Sequence, residues 1–298
     1  MRRLHVAISA FGFCETHAGS RLKFGGGEAS SLHYCLSGEG TMRLECGTLI
    51  PMADDVLVLL PAMVGYAFEA GTEIEVEVPG DWQRPRDDSV LQIYRSGEGD
   101  GEPLVVACCE VFLHLGGSDN LLNHLAAPVT ETGIDPGHLR RELKKALAEM
   151  ERSEFGARAL LETQLKEVFI RVLRRHVAEG DSPLSWVGAV ADSRLSRVMS
   201  YMNRHLAQPL TVEAIAAQAG MSRTVLYQQI SKAFGKPPIR LLYDMRLARA
   251  AELLSTTDTP VGRIANDVGY RSRSHFTRDF RERYSVDPSA YRKRYGDS

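Results

Sequence analysis

Long apolar runs are missing from this chain. The longest, Val56 to Phe68, is broken by Pro61 and Gly65 and falls short of the roughly 20 residues a membrane-crossing helix needs. A cleavable leader is not expected either. The apolar stretch after Met1-Arg2-Arg3 is interrupted by His5 and ends at Phe13 before Cys14, where a small residue would be required, so a first β-strand is expected there. Cysteine is sparse, with five in 298 residues and none at metal-ligand spacing. This usage argues against a disulfide scaffold or a zinc module and is expected of reduced thiols in a cytoplasmic protein with no membrane partner. Net charge is nearly absent too, at -2, while 44% apolar residues are ample for folded cores. Such a length suggests about two domains.

The near-neutral total hides a division. From Ala191 onward the chain carries 18 Lys and Arg against 10 Asp and Glu, which leaves 18 against 28 for residues 1–190. A basic C-terminal third joined to an acidic remainder fits a polyanion-binding module attached to something that does not bind nucleic acid.

Within the basic third one pattern occurs twice. Ile215-Ala216, Ala219 and Gly220 recur 49 positions later as Ile264-Ala265, Val268 and Gly269. Beyond the turn the offset is 50, with Ser222, Leu226 and Ile230 matching Ser272, Phe276 and Phe280, so the second turn holds one extra residue. Recurrence at fixed spacing marks a duplicated structural unit. Ile215, Ala216 and Ala219 form the buried stripe of a short helix, and Gly220 allows the left-handed backbone that ends it. Ser222 then caps a second helix anchored inward by Leu226 and Ile230, leaving Arg223, Thr224, Tyr227 and Gln228 outside. In the second copy Ser272 is the cap, and Arg273, Ser274, Thr277 and Arg278 face out, with Arg271 in the turn. Two short helices joined by a tight glycine turn present the second one to a major groove of double-stranded DNA. Arginine and polar side chains on that face suit base edges and phosphates. The helix expected over Pro238–Ser255, free of internal Gly or Pro, would hold the copies at a fixed separation, with groove centres roughly 34 Å apart.

Upstream, residues 4 to about 115 read as all-β. Ser31–Leu36, Thr41–Cys46, Val56–Leu60 and Ile74–Val78 are rich in β-branched and apolar residues and are separated by glycine turns. Leu104–Leu115 is expected to be a strand pair closing a barrel. Within it, adjacent Cys108 and Cys109 would point to opposite faces. Pro136 starts a helical region in which Leu139, Leu143 and Leu147 repeat every four residues. A second helix carries Leu161, Leu165, Val168 and Val172. That pair could pack on the barrel or against its copy in a homodimer, and Gly180–Pro183 is the expected linker.

Leu32-His-Tyr-Cys-Leu-Ser-Gly-Glu-Gly, followed by Asp54-Asp-Val-Leu-Val-Leu-Leu-Pro, resembles the cupin-like sensor barrels of bacterial regulators. A barrel of that size can enclose one small ligand, and His33 and Tyr66 are the candidate effector contacts. Catalytic cupins present several histidines and a glutamate to a metal. Here His33 stands alone, position 35 is Cys, and no His follows Pro61, where Gly65 and Tyr66 occur. Three or more convergent ligands are needed, so no metal, cofactor or catalytic residue is assigned, and a metal-dependent enzyme is the weaker alternative. Another is a thiol-based redox sensor acting through Cys14, Cys35, Cys46, Cys108 or Cys109, which would require an exposed thiol of low pKa.

The C-terminal hundred residues resemble the AraC/XylS transcription regulators. The matching motifs are Leu-Thr-Val-Glu-Ala-Ile-Ala from Leu210, Gly-Met-Ser from Gly220 and Arg-Leu-Ala-Arg-Ala-Ala-Glu-Leu-Leu from Arg246. They continue as Ile264-Ala, Gly269-Tyr270, Ser274-His-Phe276, Phe280 and Asp287-Pro288-Ser-Ala-Tyr291-Arg292. Ile230 replaces the usual Phe and Ser285 a common Gly. The resemblance implies that Thr224, Tyr227, Gln228, Arg273, Ser274, Thr277 and Arg278 face bases or backbone. It also implies RNA polymerase as a partner and an activator that answers a small molecule or stress signal. The expected fold is a multidomain α+β chain. A cupin-like β-barrel would span residues 1–130, a helical linker or dimerisation region 131–183, and an all-α domain with two helix-turn-helix motifs 184–298.

Overall fold

In the computed structural model the described residues are 4–295 apart from 28, 81–91, 100, 116–119, 126, 134–137, 153, 180–183, 185, 192 and 285. Pro136, the 180–183 segment and Ser285 therefore lie outside them. Contacts divide the chain into two compact units, one holding His5–Leu113 and Asn120–Leu184 and the other built on Ser185–Ser298.

The first unit is built on eleven described strands. They are β1 (Leu4–Thr16), β2 (Ser20–Phe24), β3 (Ser30–Ser37), β4 (Gly40–Leu44), β5 (Leu49–Met52) and β6 (Leu57–Leu60). After these come β7 (Tyr66–Ala70), β8 (Val76–Gly80), β9 (Gln92–Ser96), β10 (Leu104–Leu115) and β11 (Val129–Glu131). They form a six-stranded sheet in the order β11-β6-β3-β10-β1-β9 and a five-stranded sheet in the order β5-β4-β7-β2-β8. Both sheets are mixed, since β1 runs parallel to β9 and β2 parallel to β8.

Period-two patterning explains the core. Leu22 and Phe24, Met42 and Leu44, Ile50 and Met52, and Tyr66, Phe68 and Ala70 line the inner face of the smaller sheet. Cys14, Cys35, Val58, Leu60, Val106 and Cys108 line the facing side of the larger. The cupin-like β-rich unit is as expected, but among the described residues it is two packed sheets and not a closed barrel. Backbone pairing stops at short edge strands, and in β5 the edge holds Pro51, which has no N–H to extend a ladder. Leu104–Leu115 is likewise one continuous strand and not a strand pair. It pairs with β3 through Val105–Val111 and absorbs its irregularity as a register shift between Val105 and Val106.

Two helices, α1 (His138–Glu151) and α2 (Ala157–Glu179), belong to this unit. The second face of the larger sheet is also buried, at Phe11, Phe13, Leu32, Tyr34, Leu59 and Leu113, as are Leu161, Leu165, Val168, Phe169 and Val172 of α2. Arg158 lies over the Phe11 ring at 5.6 Å. Arg175 and His176 reach Glu131 of β11 at 2.6 and 2.8 Å, and Arg140 pairs with Asp54. These ties draw the helix pair onto the sheet of its own chain.

The second unit is helical. It comprises α3 (Trp186–Ala191), α4 (Ser193–Arg204), α5 (Val212–Gln218), α6 (Arg223–Phe234) and α7 (Pro238–Thr256). Then follow α8 (Val261–Asp267), α9 (Arg273–Tyr284) and α10 (Pro288–Tyr295). Helix α7 starts with Pro238 at its first position, where a missing N–H costs nothing. It buries Leu241, Leu242, Met245, Leu247, Ala250, Ala251 and Leu254, so the spacer is a packed central helix.

Candidate nucleic-acid interface

The two repeats fold into helical hairpins with the same turn chemistry. In the first, Thr211 caps α5 by accepting from the Ala214 N–H at 3.2 Å. The helix ends at Gly220 with φ +64°. There the Met221 N–H donates to Ala216 O at 3.1 Å and the Gly220 N–H to Ala217 O at 3.2 Å. In the second, Gly269 has φ +90°. The Tyr270 N–H donates to Ala265 O at 2.8 Å and the Gly269 N–H to Asn266 O at 2.9 Å. Both are Schellman closures, which satisfy carbonyls that a helix end otherwise leaves open.

The second helix of each hairpin is then capped by serine. Ser222 Oγ accepts from the Val225 N–H at 3.3 Å, and Ser272 Oγ from the His275 N–H at 3.4 Å. The extra residue in the second turn is Arg271, which is exposed. Leu226 and Ile230 anchor α6 and are fully buried, as are Phe276 and Phe280 in α9. With those anchors inward, Arg223, Thr224, Tyr227 and Gln228 are exposed on α6. On α9, Arg273, Ser274 and Arg278 are exposed and Thr277 is half-buried. All nine side chains selected from the sequence therefore lie on the two hairpins and none is in the core. Val225 and His275 are exposed beside them, although helical spacing does not single them out. The first turn of a helix can expose consecutive residues, which counting by three and four leaves out.

The hairpins are fixed by buried polar links that the repeat pattern does not reveal. Arg246 of α7, almost wholly buried, donates from Nε to Leu206 O at 2.9 Å and from Nη2 to Gln208 O at 2.7 Å. Asp244, also buried, accepts from Lys236 at 2.6 Å and faces Arg283 of α9 at 3.6 Å. Arg292 of α10 bonds to the carbonyls of Leu254 and Thr259.

The candidate effector contacts lie in the other unit. His33 is fully buried, its ring edge-on to Tyr66 at 4.6 Å and to Phe68 at 5.7 Å. Its Nδ1 is 3.2 Å from Cys108 Sγ and its Nε2 is 2.8 Å from Ser31 Oγ. Burial pushes its pKa down to about 3, so the ring is neutral. Tyr66 helps to line a recess with Gly25, Gly27, Ala29, Ser31, Cys109 and Glu110. His33 does not line that recess, but it bonds to Ser31, which does.

Four cysteines are buried and only Cys46 is exposed. Burial pushes the Cys35 thiol up to about 12 and raises those of Cys108 and Cys109. These are the properties of inert core thiols. Cys14 and Cys108 lie 3.7 Å apart, sulfur to sulfur. Among the described residues no three His, Cys, Asp or Glu side chains converge as a metal-ligand set. No described helix is long and apolar enough to cross a membrane.

Residues 215–294 match the helix-turn-helix domain family, and residues 1–178 match the cupin family. The chain belongs to the AraC-type transcription regulators with an N-terminal cupin domain. The HTH-type transcriptional regulator AlkR of Acinetobacter baylyi is 25% identical over 276 residues, 89% of this chain and 88% of that protein. The HTH-type transcriptional activator RhaS of Salmonella agona is 28% identical over 190 residues, 62% of this chain and 66% of that protein. Among solved structures, a transcriptional regulator with an AraC-type DNA-binding domain from Chromobacterium violaceum is 27% identical. It covers 36% of this chain and 96% of its own, at a TM-score of 0.35. In this AraC-type chain the helix-turn-helix family match begins at Ile215 inside α5 and ends inside α10, so it takes in both hairpins and the α7 spacer.

Proposed function

We propose that this AraC-type regulator is a cytoplasmic activator that works without catalysis. In this reading α6 and α9 enter successive major grooves of one duplex. Arg223, Thr224, Tyr227 and Gln228 would contact the first groove, and Arg271, Arg273, Ser274, Thr277 and Arg278 the second. The observation that carries the reading is the pair of identically closed, serine-capped hairpins whose second helices bury two apolar anchors and expose polar and basic side chains. RNA polymerase is the partner through which bound protein would raise transcription.

The cupin unit is the sensor in this scheme. Its inter-sheet space is filled by its own side chains, and the recess beside Tyr66 has room for little more than a water molecule, so a small effector would enter there by displacing the side chains that line it. An occupant would touch Tyr66 directly and act on His33 through the Ser31 hydroxyl. Coupling to DNA affinity would have the usual allosteric size, about 1–3 kcal/mol. The α1–α2 pair packs on its own sheet, yet Phe155 and Leu160 stay exposed on its outer side, and a homodimer would form through that face.

Fluorescence anisotropy of the full chain with a labelled promoter duplex tests the DNA-reading half. Wild type is expected to bind with strong salt dependence, and the double variant Arg273→Ala, Arg278→Ala to lose specific binding. Equal affinity of the two proteins would refute the assigned faces.

A further inference from the structure

The two recognition helices carry different base-reading chemistry at matched positions. By the offset of 50, Gln228 of α6 corresponds to Arg278 of α9, and Tyr227 to Thr277. Gln228 and Arg278 are both exposed, and each stands two residues before a fully buried anchor, Ile230 or Phe280. They therefore occupy the same place on two equivalent faces.

The surrounding charge differs as well. From Thr211 to Phe234 the first copy has two basic residues, Arg223 and Lys232, and one acid, Glu213. Arg223 lies 3.1 Å from Glu213, which draws it back toward its own hairpin. From Pro260 to Tyr284 the second copy has six arginines against Asp267, Asp279 and Glu282. Arg271 and Arg273 form no ion pair among the described residues.

Arg278 is also pre-set. Asp279 Oδ1 accepts from its Nε at 3.1 Å and its Nη2 at 3.0 Å, and the Tyr270 hydroxyl donates to Asp279 Oδ2 at 3.3 Å. That buttress fixes the guanidinium plane and leaves Nη1, with a second hydrogen on Nη2, for another acceptor pair.

A carboxamide offers one donor and one acceptor, which matches N6 and N7 of adenine. A guanidinium offers two donors, which match O6 and N7 of guanine. We propose that the protein reads two chemically distinct half-sites, an adenine through Gln228 in the groove facing α6 and a guanine through Arg278 in the groove facing α9. The exposed Tyr227 ring beside Gln228 adds an apolar surface suited to a thymine methyl, which reinforces the A·T character of the first half-site. The arginine-rich second hairpin then supplies most of the phosphate attraction. This inference rests on the DNA-reading function proposed above.

Selection from a random duplex pool, with sequencing of the bound fraction, tests it on the full chain and on Gln228→Arg, Arg278→Gln and Gln228→Ala. Thermal unfolding of each variant confirms the fold. Wild type is expected to enrich an adenine in one half and a guanine in the other, each favoured roughly 5- to 150-fold. Gln228→Arg should turn the first half toward guanine and leave the second alone, and Arg278→Gln should turn the second toward adenine. Gln228→Ala should flatten preference at the adenine only. Unchanged preferences in the exchanged variants, or identical halves in wild type, would overturn the assignment while leaving DNA reading intact. A bound pool with no enriched motif would end the DNA-reading function itself, and this proposal with it.

Discussion

The Arg246 guanidinium donates to the Leu206 carbonyl at 2.9 Å and packs against Gly269, where a β-carbon would come within 2.5 Å of that same carbonyl. One buried arginine thus joins the segment leading into the first hairpin to the turn of the second. Arg246→Ala is expected to destabilise the chain by about 2–4 kcal/mol, because buried carbonyls lose their donors. Gly269→Ala should also destabilise, since φ is +90° there and the space is filled. Denaturant unfolding followed by circular dichroism measures both. Stability equal to wild type in either variant would contradict the link.

The serine caps should contribute to stability independently. Ser222→Ala and Ser272→Ala are each expected to cost about 1 kcal/mol. The double variant should cost close to the sum, because the caps share no hydrogen-bond partner. Denaturant midpoints at constant slope would show this.

His33 makes stability fall in acid. Its folded pKa is pushed down to about 3 by burial, against about 6.5 in an unfolded chain. Between those values the unfolded chain takes up a proton that the folded chain refuses, so stability declines as pH drops through that window. From pH 7 to 4.5 this group alone should remove about 2–3 kcal/mol. His33→Gln should show a correspondingly smaller fall in unfolding free energy over the same interval. An identical fall in both proteins would contradict the burial.

Thiol labelling separates a core role from a redox role for the cysteines. With a disulfide reagent under native conditions, Cys46 is expected to react quickly, helped by the Thr48 hydroxyl bond that lowers its pKa. The four buried thiols should react only on unfolding. Rapid native labelling of Cys14 or Cys108 would favour the oxidant-sensing alternative.

What could be read from the residues was whatever is encoded locally. Gly220 and Gly269, each followed by a serine cap, specify their turns within a few positions, and Leu226 and Phe276 at helical spacing fix which face is exposed. The strand runs were legible for the same reason, because period-two burial is a local property. Sheet closure was not. Whether β5 and β11 end their sheets depends on pairings between distant segments, and Pro51 gave only a weak hint of an edge. Leu104–Leu115 reads as two strands in sequence, because no local signal distinguishes a shifted register from a turn. Arg246 was visible as part of a motif, but its acceptors lie 40 and 38 positions away, beyond the reach of spacing. Asp244 carried no signal at all. Motif position singles out His33 and Tyr66, yet only the fold places Ser31 between His33 and the recess.

Hydroxyl-radical footprinting of the full chain on a duplex it selects tests the tandem arrangement most directly. Two protected windows on one face of the DNA, with centres about 10 base pairs apart, are expected if α6 and α9 occupy successive major grooves. A single window that persists after Gln228→Ala or Arg278→Ala would contradict the use of both hairpins.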